Sequence, residues 1–355
     1  MGSLARSRSR LGNIAVQSDA RAFARAPMRI SFAGGGTDVS PYPEREGGAV
    51  LSAAIRRYAY ASARIREDDQ LVIRSLDLGL TSEGRIGELS QLDQRLHLLS
   101  GPISSLASDG RGVELRVQSQ APPGSGLGAS STIVVAVVGA LLAAYGRSGS
   151  ADEIARAAVE IERQDLGLAG GTQDHYAAAF GGVNFLEFNA DDVTVNQLRL
   201  PSATIATLEH NLLLCHLGAS RESATIIDDQ SERYNNDDGT TGAALARQKE
   251  LALEMTQTLL AGRLDDFGYL LNEAWLAKQE LSPLISTEAA VAAHRIALDA
   301  GALGGKITGA GGGGYMLFYA PFDCRFEVAQ ALAEDGFSVL NVYFDDVGLE
   351  SWTGA

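Results

Sequence analysis

The segment Ala121-Pro122-Pro123-Gly124-Ser125-Gly126-Leu127-Gly128-Ala129-Ser130-Ser131-Thr132 restricts what this chain can fold into more than any other stretch. Upstream of it, Val113, Leu115 and Val117 alternate with Glu114, Arg116 and Gln118, the period-2 pattern of a strand with one solvated face. Downstream, Ile133 to Ala144 is apolar almost all round, which predicts a helix buried against a sheet. A strand therefore passes into a buried helix through a loop nearly without side chains. Gly124, Gly126 and Gly128 permit positive φ and close approach of a ligand, and the first helical turn offers unpaired N–H groups at the positive end of its dipole. A polyphosphate fits that environment. Ser130, Ser131 and Thr132 put hydroxyls at the helix start, as N-caps or as ligands to a phosphate-bound Mg2+. An ordinary glycine-rich turn before a capped helix has the same local pattern. The segment lacks both the Gly-Lys-Ser/Thr ending of a P-loop and the Gly-x-Gly-x-x-Gly spacing of a dinucleotide fold.

At 355 residues the chain is long enough for two domains or two fused lobes. Its 29 Lys and Arg against 44 Asp and Glu give a formal charge of −15, which disfavours nucleic acid and anionic membranes as partners. An anionic substrate then requires a local basic pocket. Cys215 and Cys324 are the two cysteines, so neither a disulfide framework nor a cysteine zinc site is expected, and the histidines show no zinc-ligand spacing. No signal peptide or membrane span is legible, residues 1–24 read as a tail, and the expected compartment is the cytoplasm.

Two further glycine clusters accompany the central loop. Met28, Ile30 and Phe32 alternate with Arg29, Ser31 and Ala33 in a short strand that ends in Gly34-Gly35-Gly36-Thr37-Asp38, where backbone and carboxylate can meet a polyhydroxyl ligand or simply form a tight turn. Gly301 to Gly314 is denser in glycine than a hairpin requires, which implies a loop pressed against another backbone or a ligand. Between the second and third clusters, Ala151 to Leu166 has apolar residues at helical spacing and carries Glu162. A Gly167–Gly171 break then precedes Thr172-Gln173-Asp174-His175-Tyr176, which opens another short helix. Asp174 is equally readable as an N-terminal helix charge, and His175 as a structural imidazole. Residues 189–206 look like a linker, with a lobe boundary near 205, and 66–110 carry no legible chemistry.

Together these segments resemble the GHMP small-molecule kinases. The first motif is Ala26-Pro27-Met28-Arg29-Ile30, the second Pro122 to Ser131, the third Lys306 to Gly314, and the resemblance covers Arg25 to about Phe344. Arg29 through Tyr42, Gly170 through Gly182 and Gly304-Gly305-Lys306 are similar to the heptose 7-phosphate kinase branch of that family. The resemblance implies an α+β, two-lobed fold. Its N-terminal lobe, 25–205, would be like ribosomal protein S5 domain 2 and bind ATP, and its C-terminal lobe, 206–355, would be ferredoxin-like.

The resemblance also implies roles. Pro122, Gly124, Ser125, Gly126, Leu127, Gly128, Ala129, Ser130 and Ser131 would wrap the ATP phosphates, and Ser130 with Glu162 would ligate Mg2+. Asp174 would be the base, or the orienting acceptor, for the attacking sugar hydroxyl. Arg29 stands where many members carry lysine; an arginine stays charged, so it is assigned to pairing with Asp174 and to stabilising transferred charge. Gly35, Gly36, Thr37, Asp38, Gly171, Gly311 and Gly312 would meet the sugar, and Ser220, Arg221 and Lys278 would grip a phosphate it already carries. The implied activity is ATP-dependent phosphorylation of the anomeric hydroxyl of D-glycero-D-manno-heptose 7-phosphate. A fucose-type free sugar or an isomeric heptose phosphate is the alternative substrate. A non-catalytic sensor on the same fold would have no need of Asp174, Glu162 and Ser130 together. A homo-oligomer is compatible with the sequence.

Overall fold

The computed structural model describes residues 12–13, 20–190, 192–218, 223–236 and 239–354. Among the described residues the expected α+β fold is present as two main sheets and a separate two-stranded ladder, with helices packed on and between the sheets. The larger sheet is built on Gly48–Ile65, one continuous strand. This strand pairs antiparallel with Ala22–Ala33 on one side. Its other edge is shared, Ala59–Ile65 pairing with Val113–Ser119 and Gly48–Ala53 with Val183–Phe188. Gln70–Ser75 then joins Val113–Ser119 in parallel and carries Leu80–Arg85 at the sheet edge. The smaller sheet is antiparallel, ordered Gly304–Ile307, Tyr315–Tyr319, Leu212–His216, Ser338–Asn341.

The strand Ala22–Ala33 begins within the segment expected to be a tail, and Gly12–Asn13 pairs with Arg147–Ser148. Its register against the long strand shifts between Pro27 and Met28. Ala24 and Ala26 belong to the core under the larger sheet, whereas Met28, Ile30 and Phe32 join a second core with Leu251, Phe267 and Tyr319 from the C-terminal half. Arg29 and Ser31 follow the shift and line the cleft between the halves. The last strand, Glu350–Thr353, returns to pair with Ala22–Arg25. Core and chain therefore both cross position 205. Within the stretch read as a linker, Val193–Gln197 extends the larger sheet and the helix Ser202–Asn211 begins.

The helix Ala129–Ala144 is buried along almost its whole length, as an all-round apolar helix must be, and starts four residues before the periodic stretch. Ala151–Val159 opens with a capping box between Ser150 and Glu153, then widens into a π-helical turn over Glu160–Asp165. That wider turn, a geometry frequent at functional sites, carries Glu162.

Candidate active site

The first turn of the helix Gln173–Phe180 binds three separate parts of the chain through three consecutive residues. Gln173 donates its backbone N–H to Asp38 Oδ2 and its Nε2 to Asp38 Oδ1, both at 3.1 Å. Asp174 Oδ1 accepts from Arg29 Nε at 2.6 Å. His175 Nε2 lies 2.6 Å from Glu162 Oε2. Glycine upstream makes the first contact feasible, because a Cβ on Gly171 would sit 2.0 Å from Asp38 Oδ2.

Arg29 is fixed from several directions. Its Nη1 donates to Gly126 O at 2.7 Å and to Thr308 O at 3.2 Å, and its backbone N–H to Leu127 O at 3.1 Å. The guanidinium thus ties Asp174 to both later glycine loops. These loops are pressed together, since a Cβ on Gly309 would lie 2.5 Å from Gly126 Cα and one on Gly314 would lie 2.5 Å from Ser125 O. Thr308 Oγ1 donates to Gly126 O and Tyr315 N to Ser125 O. The third cluster is therefore explained by contact with another backbone.

Gly124, Gly126 and Gly128 all have φ near +75°, the left-handed region. Gly128 occupies the N-cap position of Ala129–Ala144 with no side-chain cap, so the first N–H groups remain open for an anion. The neighbouring hydroxyls do not cap: Thr132 Oγ1 donates back to Gly128 O. Gly128 also abuts the catalytic carboxylate candidate, a Cβ there standing 2.9 Å from Asp174 Oδ2.

The cleft between the halves encloses about 500 Å3. It is lined by Gly124, Ser125, Gly126, Gly128, Ala129, Ser130 and Ser131 of the central loop, and by Arg29, Gly35, Gly36, Asp38, Glu162, Gly171, Asp174 and Lys278. Five expected contacts lie elsewhere. Leu127 is buried in the core between the halves. Thr37 is fully buried, its hydroxyl donating to Gly34 O. Gly311 and Gly312 pack against Ile285, Gly312 N donating to its carbonyl, so Thr308, Gly309 and Ala310 supply that wall instead. Pro122 is solvent-exposed, and Pro123 faces the cleft. Ser220 and Arg221 lie outside the described residues.

Sequence reasoning missed the 66–110 segment, which delivers Ser75, Asp77, Leu96 and Leu99 to one end of the cleft. Ser75 and Asp77 arrive by the parallel pairing of Gln70–Ser75, which no local pattern announces. It also missed Gln173 and Gln230; the latter donates to Gly36 O.

The required basic pocket exists despite the acidic chain. Lys278 is 3% exposed, lines the cleft and donates no hydrogen bond among the described residues. Burial pushes its ammonium down to about 8, Asp38 opposing that shift and Arg29 adding to it. Lys306 lies behind, donating to Ser31 O and Ile307 O, with burial and the neighbouring Lys278 and Arg29 holding its pKa well below the ordinary range. Burial alone would raise the Glu162 carboxyl, but hydrogen bonding from His175, with Arg163 and Ser131 beside it, holds it well below the usual carboxylate range.

Hard oxygen donors at the open helix start fit a phosphate-bound Mg2+. Glu162 and Ser130 line the same wall, and no cluster of three His, Cys, Asp or Glu occurs among the described residues. One carboxylate and a hydroxyl, with the remaining ligands from phosphate and water, is the pattern Mg2+ accepts.

Comparison with known proteins agrees with this geometry. Residues 96–182 match the GHMP kinases N terminal domain and 255–336 the GHMP kinases C terminal. The chain is 32% identical over 333 residues to the D-glycero-alpha-D-manno-heptose 7-phosphate kinase of Campylobacter jejuni, covering 92% of this chain and 98% of that one. It is 27% identical to the bifunctional fucokinase/GDP-fucose pyrophosphorylase of Arabidopsis thaliana, across 89% of this chain and 32% of that longer protein. Among solved structures, a D-glycero-D-manno-heptose 1-phosphate kinase from Bacteriodes thetaiotaomicron superposes with a TM-score of 0.77 at 30% identity, over 93% of this chain and 98% of that one. Glycine cradle, Arg29–Asp174 pair, two-lobed fold and these matches together place the chain in the GHMP kinase family.

Proposed function

We propose that this kinase transfers the γ-phosphoryl group of ATP to the anomeric hydroxyl of D-glycero-D-manno-heptose 7-phosphate, with Mg2+ as cofactor. The observation that carries the reading is the 2.6 Å Arg29–Asp174 pair set against the open helix start, with the Lys278 ammonium, unpaired among the described residues, in the same cleft. The Campylobacter and Bacteriodes relatives supply the sugar class.

The apolar end, with Leu96, Leu98, Leu99, Val117 and Ile133, suits a purine. The Gly124–Ser131 backbone takes the phosphates. Asp38, held by Gln173, faces the sugar hydroxyls. Asp174 Oδ1 is occupied by Arg29, and Oδ2 has no hydrogen-bond partner among the described residues, so Oδ2 receives the attacking hydroxyl. The sugar oxygen bonds to the γ-phosphorus as the bond to the bridging oxygen breaks and ADP departs, and the proton passes to Asp174. Arg29 meets the charge developing on the transferred group. Mg2+ held by Ser130 and Glu162 would neutralise phosphate charge. Such chemistry needs alignment and charge compensation more than covalent help.

ADP release with a panel of sugars tests the reading, comparing D-glycero-D-manno-heptose 7-phosphate with sedoheptulose 7-phosphate, mannose, fucose and galactose. Turnover on the manno-heptose phosphate is expected. Turnover confined to a free sugar would keep the kinase and remove the heptose assignment. Arg221→Ala gives a second discriminator, raising KM for a phosphorylated acceptor while leaving a free sugar nearly unaffected.

A further inference from the structure

The helix Gln173–Phe180 gives its first three residues to three functions, and the third is unassigned. Gln173 holds the sugar-side Asp38 and Asp174 holds Arg29. His175 is fully buried, so it touches neither substrate nor solvent, yet its Nε2 reaches Glu162 Oε2 at 2.6 Å. Its Nδ1 lies 3.3 Å from Thr172 O, which fixes the ring against the same helix start. Glu162 sits on the π-helical turn, a geometry frequent at functional sites. Its Oε1 lies 3.1 Å from Arg163 Nη1, and Glu162 and Ser131 both line the cleft. One oxygen of Glu162 is thus anchored from behind by an imidazole, the arrangement by which carboxylate and histidine partners orient metal ligands.

We infer that His175 is a positioning residue for the nucleotide-bound metal: it clamps Glu162 Oε2 so that the other oxygen is presented to the metal, and ties that ligand to the helix that carries Asp174. The inference rests on the assignment of Glu162 as a metal ligand. It makes the metal ligand and the acceptor carboxylate parts of one unit, because the histidine that holds Glu162 directly follows Asp174 in the chain.

The test is binding of Mn2+ to the enzyme with a non-hydrolysable ATP analogue, read by electron paramagnetic resonance, beside analogue affinity without metal. His175→Phe fills the cavity without a hydrogen bond, and His175→Gln keeps a donor of shorter reach and carries the test if the phenylalanine variant does not fold. The expected result is a weakening of Mn2+ affinity by about 10- to 100-fold in His175→Phe, less in His175→Gln, with metal-free analogue affinity unchanged. A merely structural histidine would weaken both together or neither. Wild-type Mn2+ affinity in the folded His175 variants, with affinity lost in Glu162→Gln, overturns the role of His175 alone. Unchanged affinity in Glu162→Gln overturns the metal assignment beneath it.

Discussion

Lys278 is the residue whose environment departs furthest from what its chemistry favours while still serving the cleft. Depression of its pKa from 10.5 to about 8 corresponds to a folding penalty on the order of 3 kcal/mol at neutral pH. The sign follows from proton binding. Between about 8 and 10.5 the unfolded state holds the proton and the folded state does not, so the penalty is full below 8 and shrinks as pH rises towards 10.5. Lys278→Met should therefore raise thermal stability at pH 7 while raising KM for a phosphorylated acceptor by tenfold or more, on the order of one charge-assisted hydrogen bond. Wild-type KM for that acceptor should also climb as pH passes 8, and the methionine variant should lose that dependence. Melting curves and steady-state kinetics from pH 7 to 9 check both. Asp174→Asn keeps the shape and removes the proton acceptor, so kcat should fall by about 10²- to 10⁴-fold with nucleotide affinity nearly intact by calorimetry.

The two later glycine loops act as one element because neither leaves room for a side chain in the other. Gly309→Ala isolates that requirement, since its backbone is not in the left-handed region but its Cβ meets Gly126 Cα at 2.5 Å. It should cost about 1–3 kcal/mol, as overpacking does, and lower kcat by shifting the Arg29 anchor. Gly84→Ala, with open space around it, should stay within about 0.5 kcal/mol. The same contrast explains what the sequence could disclose. Gly124-Ser125-Gly126-Leu127-Gly128 was legible because the backbone conformation it needs is local and the helix after it is apolar throughout. Gly311 and Gly312 signalled close approach equally well, but glycine does not record what approaches, and the neighbour is Ile285. Ser75 and Asp77 were illegible because a parallel strand pairing brings them to the cleft. Asp174 stood out by its glycine break, whereas the partners of Gln173 and His175, at Asp38 and Glu162, exist only in the folded chain.

Against a net charge of −15, the molecule gathers Arg29 and Lys278 in the lining of its cleft with Lys306 buried beside them. The shared core of Met28, Ile30, Phe32, Leu251, Phe267 and Tyr319 holds the halves together, so the cleft is carried by packing across the chain. Among the described residues no helix is long and apolar enough to cross a membrane. A non-hydrolysable ATP analogue with Mg2+ at a hundred times its Kd should stabilise the fold by about 2.7 kcal/mol, visible as a rise in Tm that Gly309→Ala diminishes. In the proposed reaction, phosphate is added at the anomeric carbon of a heptose already phosphorylated at the far end. Phosphorus NMR of the reaction with D-glycero-D-manno-heptose 7-phosphate and ATP-Mg distinguishes the position directly. A second sugar phosphorus signal coupled to the anomeric proton is expected, growing as ATP is consumed. Consumption of ATP with the new signal coupled to any other ring proton, or no sugar signal beyond the original 7-phosphate, would contradict it.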